Sequence, residues 1–246
     1  MEEVGEAVNE MKSVKVPGLD RFLVESLKKG GMELLEWLVQ LLNLSFDMGV
    51  VPMDWCGIVP LYKVKGDKCE CSNSGGISLL SVVGKLFGRV LIKRVRAGTE
   101  CAIGKEQCGF RKGRGCMDQV FAVRQVCEKD LANGKDVFWA FMNLEKAYDT
   151  IDQHGMWQML RVYGVGGKLL KGVLSTIVYV DSRVYVQGGY DVSEWFPVNV
   201  GLRQGCVMSP WLFNVYMDGV VREVNVRVLG KRLEQLSVNG GRFEIN

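Results

Sequence analysis

The sequence predicts an α+β fold in which amphipathic helices pack around a few strands. Apolar residues recur at helical spacing in two stretches, 33–47 and 82–91. Six of the seven residues from Val137 to Asn143 are apolar and three are aromatic, a composition typical of a strand buried on both faces. Apolar and polar residues alternate over 179–200 around Gly188-Gly189, which indicates a hairpin.

Residues typical of helix starts and ends predict the bounds of further helices. Asp118 is predicted to cap a helix N-terminus, and Asn133-Gly134 to end that helix. Ser209 precedes Pro210, a residue favoured at the first helical position. In chain order, the predicted elements are a Pro-Gly loop over 12–20, a helix over 33–47 ended by Gly49, a strand over 58–62, helices over 82–91, 117–132, 156–163 and 168–174, the hairpin over 179–200, and a helix from Ser209.

Positive charge is concentrated in one segment of the chain. The formal net charge is only +3, yet the thirty residues from Lys85 to Arg114 carry nine lysines and arginines against Glu100 and Glu106. This segment therefore has a charge of +7, and a polyanion would respond to it more than to the average. Lys93 and Arg94 are candidate nucleic-acid contacts within it. A solvated basic helix face explains the same charge pattern.

Cysteine usage and the N-terminus predict a compartment. The chain has eight cysteines without a C-x-x-C pair and a single histidine, His154, so a zinc site or a histidine-based triad has few residues to use. The cysteines are interpreted as reduced thiols of a cytoplasmic or nuclear protein. An acidic N-terminus and the lack of an eighteen-residue apolar run predict neither secretion nor a membrane span.

Four segments carry motifs in a fixed order. One of them, 107–120, has a clear physical rationale: its glycines let backbone approach a ligand, and its Arg111 and Arg114 offer forks suited to phosphate. The four segments are NSGGISLL (73–80), QCGFRKGRGCMDQV (107–120), FMNLEKAYD (141–149) and GLRQGCVMSPWLF (201–213). Together they resemble reverse transcriptases of non-LTR (LINE-type) retrotransposons.

The resemblance implies a right-hand polymerase fold without a thumb. Fingers would span approximately 1–116 and 155–200, and a partial palm approximately 117–154 and 201–246. In the family, a primer 3′-hydroxyl attacks a nucleotide α-phosphate, guided by two Mg²⁺ ions. The implied nucleotide-binding residues are Leu144, Tyr148, Gln204 and Gly205, with Tyr148 as the gate against the ribose 2′-hydroxyl. The implied contacts to RNA template and DNA primer are Phe110, Arg111, Arg114 and Arg203.

Several positions depart from the family pattern. Asn143 stands where the family has a metal-binding aspartate, and an amide oxygen brings no charge to hold two cations. Gly75 replaces the arginine that holds the triphosphate. The aromatic-x-Asp-Asp strand that supplies further carboxylates is expected just after Asn246. The resemblance therefore implies a catalytically inactive fragment, with no intact metal site and no productively bound Mg²⁺.

Other interpretations of the sequence remain open. The chain could be a non-catalytic RNA/DNA-binding module that uses the basic segment, with weak and non-specific affinity, or a chain without function. Without a strand beside Val137–Asn143, the palm would also expose an apolar edge, which predicts self-association.

Overall fold

The structure is a computed structural model that describes residues 1–14, 17–18, 20–51, 56–62, 66–67, 70, 73–177, 183–188, 191–194, 196–198 and 200–234. Helices dominate these ranges and strands are few, so the fold is more helical than the predicted α+β class implies. The helices are α1 (Glu2–Asn9), α2 (Val24–Lys29), α3 (Gly31–Met48), α4 (Val82–Thr99), α5 (Cys116–Ala132), α6 (Gln153–Val162), α7 (Gly167–Ile177) and α8 (Ser209–Glu234). The strands are β1 (Cys56–Tyr62), β2 (Ser74–Leu80), β3 (Arg183–Val184), β4 (Gln187–Gly188), β5 (Asp191–Val192) and β6 (Phe196–Pro197).

The helices expected from hydrophobic spacing are confirmed, and α1 and α2 are additional. The α3 helix ends at Gly49, whose φ of 67° is the left-handed conformation expected of a C-cap glycine. Strand β1 forms as predicted and pairs antiparallel with β2. The predicted hairpin lies partly outside the described residues. Within them, Gly188 pairs with Asp191, so it belongs to the ladder and not to the turn.

Helices α4, α6, α7 and α8 enclose the centre of the core. Ser81 fixes the start of α4 by accepting a hydrogen bond from Gly84 N at 2.8 Å. The side chains that become fully buried follow the helical spacing of each element. They include Leu86, Phe87 and Leu91 of α4, Met156 and Leu160 of α6, Val173 of α7, and Trp211 and Leu212 of α8.

The acidic helix α1 covers one face of the basic helix α4. Its apolar side, with Val4, Ala7 and Val8, is buried in the core. Its glutamates meet the cations of α4: Glu3 accepts two hydrogen bonds from Arg94, and Lys93 lies 2.8 Å from Glu10 and 3.5 Å from Glu6. Arg89 also reaches Glu10, at 3.3 Å. Such half-exposed pairs stabilise the fold by only about 0–1 kcal/mol each, so burial of the apolar side is what holds α1 in place.

The prediction of a buried strand over Val137–Asn143 is wrong. The segment is extended but unpaired within the described residues, and Phe138 and Phe141 are 91% and 88% exposed. Helix α5 forms as predicted, yet it buries no residue. The segment returns along α5, where Trp139 Nε1 contacts Cys127 Sγ at 3.0 Å. A strand is buried on two faces only when other elements pack against both faces. The described residues supply no such elements beside Val137–Asn143.

The predicted cap of α5 is also corrected. The helix begins at Cys116, two residues before Asp118, so that Asp118 occupies the third helical position. Its carboxylate accepts a hydrogen bond from Gly115 N at 2.9 Å. The side chain therefore still satisfies a backbone donor at the helix start, but from inside the helix.

A buried carboxylate ties three parts of the chain together. Asp218 of α8 accepts hydrogen bonds from Gly104 N at 2.8 Å, from Arg222 Nε at 2.8 Å and from the Tyr163 hydroxyl. Burial and this carboxylate raise the pKa of Tyr163 well above its usual range. Because every oxygen of Asp218 is used, the charge is compensated despite its burial. The hydrogen bonds of Asp218 fix the loop after α4 against α8.

No helix in the described part of the chain is both long and apolar enough to cross a membrane.

Removing one hydrogen bond to Asp218 should cost stability in a pH-dependent way. We expect Tyr163→Phe to lower the free energy of unfolding by about 1–2 kcal/mol at neutral pH. The raised pKa favours the protonated hydroxyl in the folded state, so this stabilisation is present below about pH 10 and is lost as pH rises further. Urea unfolding at pH 7 and at about pH 10.5 would measure both effects. A variant that matches the parent at both pH values would contradict the assignment.

Candidate nucleotide and nucleic-acid site

Backbone hydrogen bonds join three of the four sequence motifs. Leu202 N donates to Tyr148 O at 2.7 Å, and Gly201 N donates to Ile151 O at 2.8 Å. On the other side of the same loop, Ser78 N of β2 donates to Gln204 O at 2.6 Å. The loop over 201–205 is thus held between the turn over 146–152 and strand β2. This junction is the centre of the candidate site.

A cavity of about 180 Å³ opens at the junction. Asp149, Gln204 and Arg203 line it together with Ser78. Gln204 Nε2 donates to Asp149 Oδ1 at 3.3 Å, which orients the amide, and the buried Gln153 supports the loop by donating to Gly201 O at 3.0 Å. The cavity therefore presents a carboxylate, an amide and a guanidinium close together. Groups of this kind bind the donors and acceptors on base edges.

The two glycines of the loop are required by the fold. Gly201 has φ of +87°, and a Cβ there would lie 2.7 Å from Asp149 O. Gly205 has φ of +103°, and a Cβ there would lie 2.6 Å from Ser78 O. Both contacts are with backbone, which cannot rotate away. Close approach of β2 therefore accounts for Gly205 in this chain, in addition to the close approach of template and nucleotide that the resemblance implies.

The other two predicted nucleotide-binding residues lie beside a different cavity. Tyr148 stacks on Phe213 of α8, with ring centroids 4.9 Å apart, and burial raises the pKa of its hydroxyl. Leu144 is 53% exposed and lines a cavity of about 260 Å³ together with Phe213. The Tyr148 backbone is nevertheless bonded to the 201–205 loop. The structure thus brings Tyr148 and Gln204 onto one junction and leaves Leu144 at its outer edge.

The start of α8 differs from the prediction. The helix begins at Ser209 itself, one residue earlier than an N-cap at Ser209 requires. Instead of capping the helix, the Ser209 hydroxyl donates to Arg203 O at 2.8 Å. The serine therefore folds the loop back onto the helix. This contact holds the backbone of Arg203, a residue that lines the 180 Å³ cavity, beside the helix start.

The loop over 100–115 uses its central arginine internally. Arg111 is only 7% exposed, and its guanidinium donates to Gly104 O, Gln107 O and the Glu100 carboxylate, at 2.6, 3.0 and 3.0 Å. The guanidinium is consequently turned away from solvent, unlike the phosphate fork expected from sequence. Arg114 is half-buried and donates to Lys105 O, whereas Phe110 is 59% exposed with φ of 55°.

The residue that anchors this loop was not predicted from the sequence. Asn214 of α8 is buried; its Nδ2 donates to Gly109 O at 2.6 Å, and its Oδ1 accepts from Gln107 Nε2 at 2.9 Å. The available signal was a polar residue within the apolar run of 211–217, four residues before Asp218. On a helix this spacing places both side chains on one face. Asn214 and Asp218 therefore hold the loop to α8.

The predicted contacts on α4 and at position 143 lie apart from the junction. Lys93 and Arg94 pair with the glutamates of α1. Asn143 is exposed in the unpaired segment. Of the nearby carboxylates, Asp149 accepts from Gln204, and Asp152 accepts from His154 N and Gly155 N at the start of α6.

The donors present do not fit a pair of magnesium ions. Two Mg²⁺ ions held close together need several carboxylate oxygens, and Asn143 offers a neutral amide. Among the described residues, no group of three or more His, Cys, Asp and Glu side chains is arranged to hold a metal ion. The side chains around the junction offer a carboxylate, an amide and a guanidinium for contacts with polar groups.

Comparison with known proteins agrees with the motif order. The profile of the family described as "Reverse transcriptase (RNA-dependent DNA polymerase)" matches residues 65–239, more than half of the chain. The chain belongs to this reverse transcriptase family. The match covers all four motif segments together with the junction that joins three of them.

Its relatives are proteins of mobile elements. The chain is 24% identical to the "Transposon TX1 uncharacterized 149 kDa protein" of Xenopus laevis over 96% of its length. It is 24% identical, over 88%, to the "RNA-directed DNA polymerase from mobile element jockey" of Drosophila melanogaster. It is 27% identical, over 90%, to a protein of the Drosophila melanogaster "type-1 retrotransposable element R1DM". The recognition of a non-LTR retrotransposon reverse transcriptase is thus confirmed. The chain spans between 18% and 24% of the length of these relatives.

The close contact at Gly205 predicts that alanine substitution costs more stability there than at Gly109. We expect Gly205→Ala to lower the free energy of unfolding by about 1–3 kcal/mol, because the methyl group meets Ser78 O in a strained backbone conformation. Gly109→Ala is the matched control, since a Cβ at Gly109 meets nothing within 4 Å. Thermal and urea unfolding of both variants would measure the difference. Equal stability of the two would show that β2 does not constrain the loop.

Proposed function

We propose that this chain is the part of a retrotransposon reverse transcriptase that holds template and incoming nucleotide, and that it does not add nucleotides by itself. The hydrogen-bonded junction of residues 78, 148–151 and 201–204 carries this proposal, because it gathers three separate family motifs around one cavity. As the resemblance implies, Gln204 would lie near the nascent base pair, and Tyr148 would lie beside the ribose of the incoming nucleotide.

The proposed division into fingers and palm follows the resemblance. Fingers would comprise approximately 1–116 and 155–200, and a partial palm approximately 117–154 and 201–246. The contacts of β2 and of α8 support this division, because each meets the 201–205 loop from a different side. In the family, Mg²⁺ serves nucleotide transfer, and RNA template and DNA primer are the substrates.

Nucleic-acid contacts are proposed for the exposed part of the basic segment. The guanidinium of Arg111 is occupied within the chain, so its proposed role is to shape the 100–115 loop. The proposed phosphate contacts are therefore Arg114 and the exposed Lys112. The exposed Phe110 would stack on a base. Arg203 would serve at the cavity. Lys93 and Arg94 would contribute only where a phosphate displaces the α1 glutamates.

Binding should be independent of sequence and sensitive to salt. We expect roughly micromolar or weaker affinity for single-stranded RNA and DNA near physiological salt, and the double variant Lys112→Gln/Arg114→Gln should reduce the slope of log K against log salt by about 0.7 per lost contact. Fluorescence anisotropy at several salt concentrations would measure the slope. Lys28→Gln/Lys29→Gln on α2 is the matched control for charge. A parent chain without measurable binding would contradict the proposed function itself.

Nucleotide addition is expected to be absent. In the proposed inactive domain Asn143 lacks the charge of the family's aspartate, and a loss of about 4 kcal/mol in transition-state stabilisation already slows a reaction roughly a thousandfold. Primer extension on an RNA template, with Mg²⁺ or Mn²⁺, should match a heat-inactivated sample. Asn143→Asp should restore nothing, because it adds one carboxylate where the described residues contain no group of three or more His, Cys, Asp and Glu side chains arranged to hold a metal ion. Extension by either protein would overturn the proposed inactivity.

Self-association is proposed through the exposed apolar surface formed by α5 and residues 137–144. The large apolar side chains on it are Met117, Val120, Phe121, Phe138, Phe141, Met142 and Leu144, each more than half exposed. Contiguous apolar surface beside unpaired backbone favours pairing with a second chain.

Polar substitution on this surface should reduce association. We expect Phe138→Ser/Phe141→Ser to lower the apparent mass and to increase the soluble fraction, because both side chains contribute almost their whole area to the surface. Trp37→Ser on α3 removes another exposed aromatic side chain and should have little effect. Light scattering over a range of concentrations would compare the three proteins. A monodisperse monomeric parent would rule out self-association.

A further inference from the structure

A larger cavity lies on the other side of the 201–205 loop. Its volume is about 470 Å³, and it is bounded by the end of α1, the start of α4 and the residues that follow Gln204. Gln204 lines the smaller cavity, whereas its neighbour Gly205 lines the larger one. The loop is therefore a ridge with a cavity on each side.

Cations outnumber acids in this larger cavity. Lys12, Lys85 and Arg89 line it, against the single carboxylate of Glu10. Glu10 is already shared between Lys93 and Arg89. Arg89 Nε is buried and has no hydrogen-bond acceptor among the residues described by the structure. The cavity thus retains positive charge and an unused donor.

Lys85 is the least compensated cation on this side of α4. It is half-buried and forms no ion pair in the described portion of the chain, whereas Arg89, Lys93 and Arg94 all meet glutamates of α1 or Glu10 directly after it. Burial lowers the pKa of Lys85, and the charge of Asp20 opposes that effect only in part. An ammonium group in such a place is stabilised by an external anion.

We propose that this cavity holds a backbone phosphate of the bound nucleic-acid strand, with Lys85 as the principal contact and Lys12 and Arg89 beside it. A strand that crosses the loop at Gly205 would then place a phosphate in the larger cavity and an adjacent base in the smaller one. This inference rests on the proposed function. It deepens that function, because it assigns the strand a path that avoids the α4 face covered by α1.

A strand phosphate is favoured over the triphosphate of a free nucleotide. Of the four residues implied in nucleotide binding, Gly205 lines the larger cavity, whereas Leu144, Tyr148 and Gln204 line or adjoin the two other cavities. A free nucleotide would occupy one cavity, whereas a polynucleotide has groups for both. Single-stranded RNA and a deoxynucleoside triphosphate are therefore the two probes that distinguish these sources.

The test compares Lys85→Gln, Lys85→Arg and the control Lys129→Gln, an exposed lysine of α5. For a single-stranded RNA of about 20 nucleotides, Lys85→Gln should weaken binding roughly three- to tenfold and lower the salt slope by about 0.7. Lys85→Arg should retain most of the affinity, and Lys129→Gln all of it. Binding of a deoxynucleoside triphosphate without RNA should be unchanged in every variant.

A second measurement needs no variant and so does not depend on the folding of Lys85→Gln. Acetylation of lysines in the parent chain, followed by mass spectrometry, should show Lys85 protected when RNA is bound and Lys129 unaffected. Normal RNA binding by Lys85→Gln, or acetylation of Lys85 at an equal rate with RNA, would overturn the inference while leaving the proposed function intact. Loss of triphosphate binding alone would assign the cavity to the nucleotide. A parent that binds no RNA would overturn both proposals.

Discussion

The candidate site depends on a short chain of backbone hydrogen bonds that runs from the 146–152 turn through the 201–205 loop to β2. Backbone groups have no alternative rotamers, so these bonds fix the loop more firmly than side-chain contacts could. They also explain why residues at 201 and 205 must be glycine. A methyl group at either position would enter the space of a carbonyl oxygen on the facing segment. The functional loop is thus shaped by its neighbours before any ligand binds.

Ion pairs and hydrogen bonds within the chain reduce the positive charge that residues 85–114 present to a ligand. Of its nine cations, Lys93, Arg94 and Arg89 meet α1, and Arg111 meets Glu100 and loop carbonyls. Arg96 lies over the Trp211 ring, 4.9 Å from its centroid. The effective positive surface is therefore much smaller than a count of charges indicates. What remains is distributed between the 100–115 loop and the cavity beside Lys85.

Local periodicity predicted most helices correctly because their buried faces repeat every three to four residues. The motif order likewise identified the family. Three features could not be predicted from local sequence, because each depends on a distant partner. Val137–Asn143 has the composition of a buried strand, yet burial requires neighbouring strands. Lys93 is neutralised by glutamates more than eighty residues earlier in the chain. Arg111 points inward because Asn214 and Asp218, a hundred residues later, hold its loop in place.

Helix α5 and the extended segment after it also differ from the core in their energetics. The core helices bury their inner faces, and amides in such helices are expected to exchange with solvent when the core opens as a whole. In α5 no side chain is buried, and a seventeen-residue helix in water is only marginally stable without tertiary contacts. Residues 116–144 should therefore form a separate cooperative unit that opens at almost no cost while α4, α6, α7 and α8 stay closed. The core helices then stay folded while residues 116–144 open. A partner that binds residues 116–144 would supply most of the free energy that folds this segment.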